Sequence, residues 1–181
     1  MAPRSPAVVV ATTPSGPVPT TLRRIGLGLI ALTLLLAPGP LGAQSNNVRI
    51  TKLSDVGFGT PANLDVDATA AQSICVFAQT AGRGYRVTAT GSAPGGAFAL
   101  TSGGALLDYE VQWSSAAGQT SGTQLSPNVT LGGLVSSATQ QTCNNGPVTS
   151  ASLILLLRST ALSSAAAGAY AGTLTLLIGP E

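Results

Sequence analysis

The sequence predicts an all-β fold, an antiparallel β-sandwich with one disulfide. Three observations indicate it. Apolar and polar residues alternate with a period of two, glycine and proline turns interrupt these runs at short intervals, and two cysteines lie far apart in the chain. With 181 residues, the chain is long enough for one domain of ordinary size. Helical propensity is concentrated in residues 161–169, where serine and glycine weaken it, so we expect at most a short helical turn there.

Residues 1–43 are expected to be a leader and signal peptide that is removed on export. Arg23 and Arg24 precede a run of about 13 apolar residues, and a Pro-Gly-Pro break is followed by a small residue, Ala43, at the predicted cleavage point. A membrane span needs roughly 20 apolar residues, so this run is too short to be one. The arginine pair also fits twin-arginine export, but its flanking residues match that signal weakly and favour the general route. Residues 44–181 then form a single domain without a membrane span.

The composition argues against an enzyme. Histidine, the commonest general base and metal ligand, is absent, so the many serine and threonine hydroxyls have no imidazole to activate them. Residues 44–181 carry five basic and six acidic side chains, a formal charge of −1, which gives no basic field for nucleic acid. Asp55, Asp65 and Asp67 could ligate calcium, but they lack EF-hand spacing and solvated loop acids are the favoured interpretation. We therefore expect no catalytic residues, cofactor or metal.

Cys75 and Cys143 both lie in the part of the chain predicted to be exported. In an oxidising compartment, an even pair of cysteines is most simply one disulfide. The sequence contains no Cys-x-x-Cys motif, and without histidine a two-cysteine zinc site lacks its other ligands. Closing so long a loop stabilises a fold by roughly 4 kcal/mol in the chain-entropy treatment. We expect this bond to have a structural role.

Alternation places the strands in order along the chain. Alternating segments are found at 85–90, 98–100, 107–113 and 170–178, and residues 153–157 are apolar on both faces. The last of these patterns predicts a strand that is buried on both sides. In 107–113, Tyr109 and Trp113 share one face with two aliphatic residues. These two aromatic residues could form a sugar-binding patch, but an alternating strand more often places them in the core.

The C-terminal segment predicts an apolar strand with an uncovered edge. Tyr170, Gly172, Leu174, Leu176 and Ile178 fall on one face, and threonines lie opposite. The sequence ends three residues later, at Glu181, so we expect no later strand to cover this edge. Native proteins normally protect an exposed apolar edge, because it promotes aggregation. We therefore expect another chain to pair here.

Several motifs in residues 48–181 occur together in one known family. They are the segments 84–92, 96–100, 107–113 and 168–181, the two cysteines and the terminal Tyr-x-Gly-Thr-Leu-Thr pattern. In these features the chain resembles the spore coat protein U domain, a family that includes the secreted pilins of archaic, Csu-type chaperone–usher pili. The resemblance implies an immunoglobulin-like β-sandwich that is incomplete, because its last strand is missing.

The resemblance also implies how the missing strand is supplied. A periplasmic chaperone lends a strand during export, and a neighbouring pilin-like subunit replaces it after passage through an outer-membrane usher. The product would be a structural subunit of a surface fibre or coat, outside the cell or on its surface, with roles in adhesion and biofilms. By position, Leu174, Leu176 and Ile178 would flank the groove for the donated strand. The Glu181 carboxylate would lie at the chaperone's anchoring end.

Two points stay open at this level. A donor extension needs alternating apolar residues before the first domain strand, and only residues 44–47 precede the segment 48–53. If that segment is the first strand, the subunit accepts a strand without donating one and would be found at a fibre tip or outside a fibre altogether. If Val48 and Ile50 are donor residues, it is a shaft subunit. The second open point is the function itself. The alternative to a fibre or coat subunit is a self-contained secreted sandwich that binds carbohydrate or surfaces through its loops.

Overall fold

A computed structural model describes residues 46–181 as ten β-strands, one short α-helix and a 3-10 turn. The predicted leader, residues 1–43, lies outside the described residues. The elements are β1 (Asn47–Thr51), β2 (Ala68–Gln79), β3 (Gly84–Gly91), β4 (Ala99–Ser102), β5 (Ala105–Asp108), β6 (Glu110–Ser114), β7 (Thr123–Gln124), β8 (Thr130–Val135), β9 (Ala151–Leu157), α1 (Ser159–Ser164) and β10 (Leu174–Pro180). No helix in this part of the chain is long and apolar enough to cross a membrane.

The strands form two main sheets and a separate hairpin, and every pairing is antiparallel. The five-stranded sheet has the order β1-β2-β9-β6-β7, the three-stranded sheet the order β10-β3-β8, and β4 pairs with β5. β2 pairs with two strands along its length. Residues 68–74 pair with β9, and residues 75–79 pair with β1. β9 is almost wholly buried, as its apolar sequence predicted.

An aromatic contact joins the two main sheets across the core. Tyr85 on β3 and Trp113 on β6 are both buried, with ring centroids 6.4 Å apart and an edge-on angle of 68°. The indole Nε1 of Trp113 donates a hydrogen bond of 3.1 Å to the hydroxyl of Tyr85. Tyr109 stacks on Phe98 at 5.8 Å and is also buried. The predicted β-sandwich is thus confirmed, and the two aromatic residues of segment 107–113 belong to its core.

The predicted disulfide is confirmed. The sulfur atoms of Cys75 and Cys143 are 2.09 Å apart, and both residues are buried. The bond fastens β2 to the long connection before β9, and two serines of that connection bind the same part of β2. The hydroxyl of Ser150 accepts from Val76 N and donates to Val76 O, both at 2.8 Å, and Ser136 Oγ donates to the same carbonyl. This connection therefore satisfies backbone groups of β2 beyond the end of its pairing with β9.

Three element boundaries differ from the sequence prediction. The segment 107–113 is not one strand, because the chain changes sheets at Tyr109: β5 pairs with β4, and β6 pairs with β9. The last strand begins at Leu174 and not near residue 170, where Ala171 makes only an isolated bridge to Thr101. The helix spans Ser159–Ser164, earlier than predicted, because Asp67 from a distant loop accepts a hydrogen bond from Ser159 N at 2.8 Å and fixes its start.

Candidate functional site

β10 is an edge strand whose outer side pairs with no strand among the described residues. On its inner side it pairs with β3, and the N–H of Glu181, just beyond β10, donates to Gly84 O at 3.2 Å. In an antiparallel ladder alternate residues direct their backbone groups to the same side. Counting back from Glu181, the odd-numbered residues of β10 therefore bond to β3. The even-numbered residues Leu174, Leu176 and Ile178 turn their N–H and C=O groups to the free edge.

Two other hydrogen bonds agree with this assignment. Thr173, an odd-numbered residue just before β10, donates its N–H to Ser92 Oγ on the β3 side at 3.0 Å. Ala89, which pairs with Leu176, turns its carbonyl away from β10 and accepts from Asn128 N at 2.8 Å. Pro180 shares the orientation of the even-numbered residues and has no N–H, so the free edge has no donor at its C-terminal end.

The three residues with free backbone groups also face the core. Leu174, Leu176 and Ile178 are partly buried and pack against the main core cluster, so the predicted face of this strand is confirmed. Leu177 points the opposite way, and 65% of its surface is exposed. A strand added at this edge would therefore contact backbone groups and apolar side chains of the same three residues.

β1 borders the same edge from the other sheet. It is the outermost strand of the five-stranded sheet and lies against β10 without pairing to it. Val48 and Ile50 of β1 are partly buried against the core, like the inward residues of β10. The two sheets thus meet at an edge where side chains from both are incompletely covered. A further strand added to the three-stranded sheet at β10 would lie beside this edge.

The segment 48–53 takes part in the fold as the first strand of its own domain. Val48 lies opposite Ala78, and Ile50 lies opposite Val76, in a regular antiparallel pairing with β2. Directly after β1, the ammonium group of Lys52 donates to the carbonyls of Val148 at 2.8 Å and Cys143 at 3.3 Å. Residues 47–51 thus pair with β2 of their own domain, and Lys52 and Leu53 lie beyond the end of the strand.

The other sheet edges carry features that discourage pairing. β7 has only two residues, and β1 carries a charged Arg49 in its middle. β8 has a bulge in its pairing with β3, next to Gly133 with φ of 71°. Short strands, charges and bulges are the usual protection of sheet edges, whereas β10 has seven residues and no charged side chain. Among the described edges of the two main sheets, β7, β8 and β10 are the uncharged ones, and of these β10 is the longest and has no bulge.

Glu181 closes the end of β10 on the side away from the free edge. Its side-chain Oε2 accepts a hydrogen bond of 2.6 Å from Gly133 N on β8. Because the backbone of Glu181 also binds Gly84, the end of β10 is fastened across β3 to β8. The role of the Glu181 carboxylate in anchoring to a chaperone stays a prediction.

Of the three aspartates considered as calcium ligands, Asp67 forms an ion pair, and it shares its partner Arg158 with Glu110 of β6. Arg158 donates through Nε and Nη2 to both carboxylate oxygens of Glu110 at 2.8 Å, and through Nη1 to Asp67 at 3.0 Å. The Ser159 N–H and then Arg158 lower the pKa of Asp67, and the hydrogen bond from Arg158 lowers that of Glu110. Within residues 46–181, no group of three Asp, Glu, His or Cys side chains is placed to hold a metal ion. The cluster fastens β2, β6 and the start of α1 together.

Comparison with solved structures gives a distant likeness. No family model matches the sequence, and no curated protein matches it. A chain in a solved structure of a chaperone–tip adhesin complex, studied for CFA/I fimbriae biogenesis, has 16% sequence identity and a TM-score of 0.41. The similarity covers 75% of this chain and 41% of that chain, so this chain spans less than half the length of that one.

Proposed function

We propose that this protein is a secreted structural subunit of a surface fibre or coat, and not an enzyme, that completes its sandwich with a strand from a partner. The observation that carries the proposal is the free edge of β10. There Leu174, Leu176 and Ile178 present unpaired backbone groups and incompletely buried side chains together. The fimbrial chain that resembles this one is too distant to carry the argument, so the proposal rests on this edge.

The groove dictates the chemistry of the partner strand. Backbone hydrogen bonds to Leu174, Leu176 and Ile178 would fix the register, and alternate apolar side chains would enter the groove between β10 and β1. Each hydrogen bond contributes about 0.5–1.5 kcal/mol, and each fully buried aliphatic side chain about 1.5–3 kcal/mol, before the cost of ordering the strand. Since each of the three residues offers one N–H and one C=O, the edge provides up to six such hydrogen bonds, and the total gain has to exceed an association cost of about 4–15 kcal/mol.

The proposed sequence of partners follows from the need to cover this edge at every stage. A periplasmic chaperone occupies the groove during export, and a neighbouring subunit delivered by an outer-membrane usher occupies it in the final assembly. Because β1 is bound within its own domain, the subunit is proposed to accept a strand and to take a tip or accessory position. The final location is the cell surface or the medium.

Hydrogen exchange on the exported chain tests whether the edge is free. We expect the amides of Leu174, Leu176 and Ile178 to exchange rapidly in the monomer, measured at a protein concentration too low for self-association, while those of Thr175 and Leu177 are protected by β3. Co-expression with a periplasmic chaperone of the chaperone–usher class should then protect all five amides. Equal protection of all five in an isolated, cooperatively melting monomer would show a closed sandwich and favour the surface-binding module.

A matched pair of variants tests the inward face of the same strand. Leu176→Asp places a carboxylate in the groove and should abolish co-purification with the chaperone, because burying an unpaired charge is costly. Leu177→Asp places the same group one residue away on the exposed face and should leave capture within a few-fold of wild type. Export of both variants should be unchanged. Capture of both to the same extent would remove the β10 groove from the proposal.

A further inference from the structure

We propose that, when no partner strand is available, two copies of this chain pair with each other through β10 to form a symmetric antiparallel dimer. This inference rests on the proposed function only in requiring the same free edge; it needs neither a chaperone nor a fibre. The dimer would join the two three-stranded sheets into one continuous sheet, with the two-fold axis passing beside Leu176 of each copy.

The free backbone groups select this register. A hydrogen-bonded antiparallel pair forms only where edge-facing residues of both copies lie opposite each other. With Leu176 opposite Leu176, Leu174 lies opposite Ile178 in both directions, so all three edge-facing N–H groups of each copy are used. Shifting the register toward the C terminus places Pro180, which has no N–H, in the ladder, and shifting it the other way leaves edge-facing groups of β10 without partners.

The side chains of β10 are self-complementary in the same register. On the inward face, leucine and isoleucine meet, so the apolar groove of each copy is covered by apolar residues of the other. On the outward face, Thr175 of one copy lies opposite Leu177 of the other, and this cross-strand contact covers part of the exposed leucine. A two-fold interface requires this kind of self-complementary surface.

Electrostatics do not oppose the association. β10 has no charged side chain, and its outward neighbours on β3, Thr88 and Thr90, are uncharged. The nearest charged residue opposite β10 is Arg86, which lies beside Gly179 and away from the proposed axis. The centre of β10 has no charge that would oppose pairing with a copy of itself, and Pro180 interrupts the donors only at its C-terminal end.

Two double variants test the register, because positions 175 and 177 face each other across the axis. Thr175→Glu with Leu177→Lys places opposite charges in each of the two cross-strand pairs, and Thr175→Lys with Leu177→Lys places like charges there. Both sites lie on the exposed face, and both variants share the lysine at 177, so folding and the effect of Arg86 are matched. Cross-strand charge pairs change stability by roughly 0.2–1 kcal/mol each in either direction.

Sedimentation of the exported chain at low salt and micromolar concentration provides the measurement. We expect a wild-type dimer, a Glu/Lys variant that dimerises at least as well, and a Lys/Lys variant whose dissociation constant rises roughly two- to thirtyfold. A wild-type monomer, open-ended aggregation, or equal dimerisation of the two variants would overturn the inference. If the amides of Leu174, Leu176 and Ile178 exchange rapidly in such a monomer, the proposed strand acceptance stands; if they are protected, both proposals fail.

Discussion

Breaking the Cys75–Cys143 bond should lower the free energy of unfolding by about 4 kcal/mol. The bond joins residues 68 positions apart, so it removes much of the conformational freedom of the unfolded chain. For a domain of this size, that loss corresponds to a fall in melting temperature of roughly 12–16 °C. Because Ser136 and Ser150 hold the same connection to β2 without the sulfur atoms, the folded structure should keep its topology.

The oxidised wild type is compared with three other forms of the exported chain, and each is melted by near-ultraviolet circular dichroism. Cys75→Ala with Cys143→Ala removes the bond together with two buried sulfur atoms. Wild-type protein refolded under reducing conditions removes the bond alone and isolates the effect of the link. The single Cys75→Ala variant should melt within a few degrees of the double variant, because either substitution abolishes the bond. A fall of less than about 4 °C in the reduced wild type would refute the loop-closure argument.

Two further variants probe the core and the ion pairs. Tyr85→Phe should cost about 1–3 kcal/mol in chemical unfolding, because it leaves the buried Trp113 Nε1–H without its acceptor; a cost below about 0.5 kcal/mol would contradict this role. The pKa values of Asp67 and Glu110 are lowered in the folded state, so the stability they contribute is present above their unfolded pKa and is lost as pH falls through the folded value. Wild-type melting temperature should therefore fall on acidification below about pH 4, and Arg158→Gln should flatten this dependence; equal slopes would show that the ion pairs are neutral to stability.

Alternation predicted which residues face the core because it is a local property of a strand. Tyr85, Val87, Tyr109 and Trp113 are all buried, and the inward face of β10 was identified correctly. The disulfide was predictable because the chain offered only one cysteine pairing. β2 was harder to recognise, because its first half is rich in alanine and polar residues and carries a weak pattern.

The boundaries that the sequence missed depend on distant contacts. The change of sheet at Tyr109 does not disturb the alternation, so the pattern shows one strand where pairing makes two. The start of α1 depends on Asp67, which lies 92 positions before the residue whose N–H it accepts. Likewise, the direction of the backbone groups at positions 174, 176 and 178 is fixed by the register with β3, which no local pattern contains.

The two proposed occupants of the β10 edge must exclude each other. A donated strand and a second copy would both use the N–H and C=O groups of Leu174, Leu176 and Ile178, and each group can serve one ladder at a time. By mass action, a chaperone that binds the single-copy form draws the dimer apart, and dilution of the chaperone restores it. Leu177 distinguishes the two kinds of pairing. In the dimer it lies opposite Thr175 of the second copy, whereas a donated strand could place any residue opposite it. Substitutions on the outward face should therefore tune self-association while substitutions at Leu176 affect both modes, which makes the two faces of one strand separately testable.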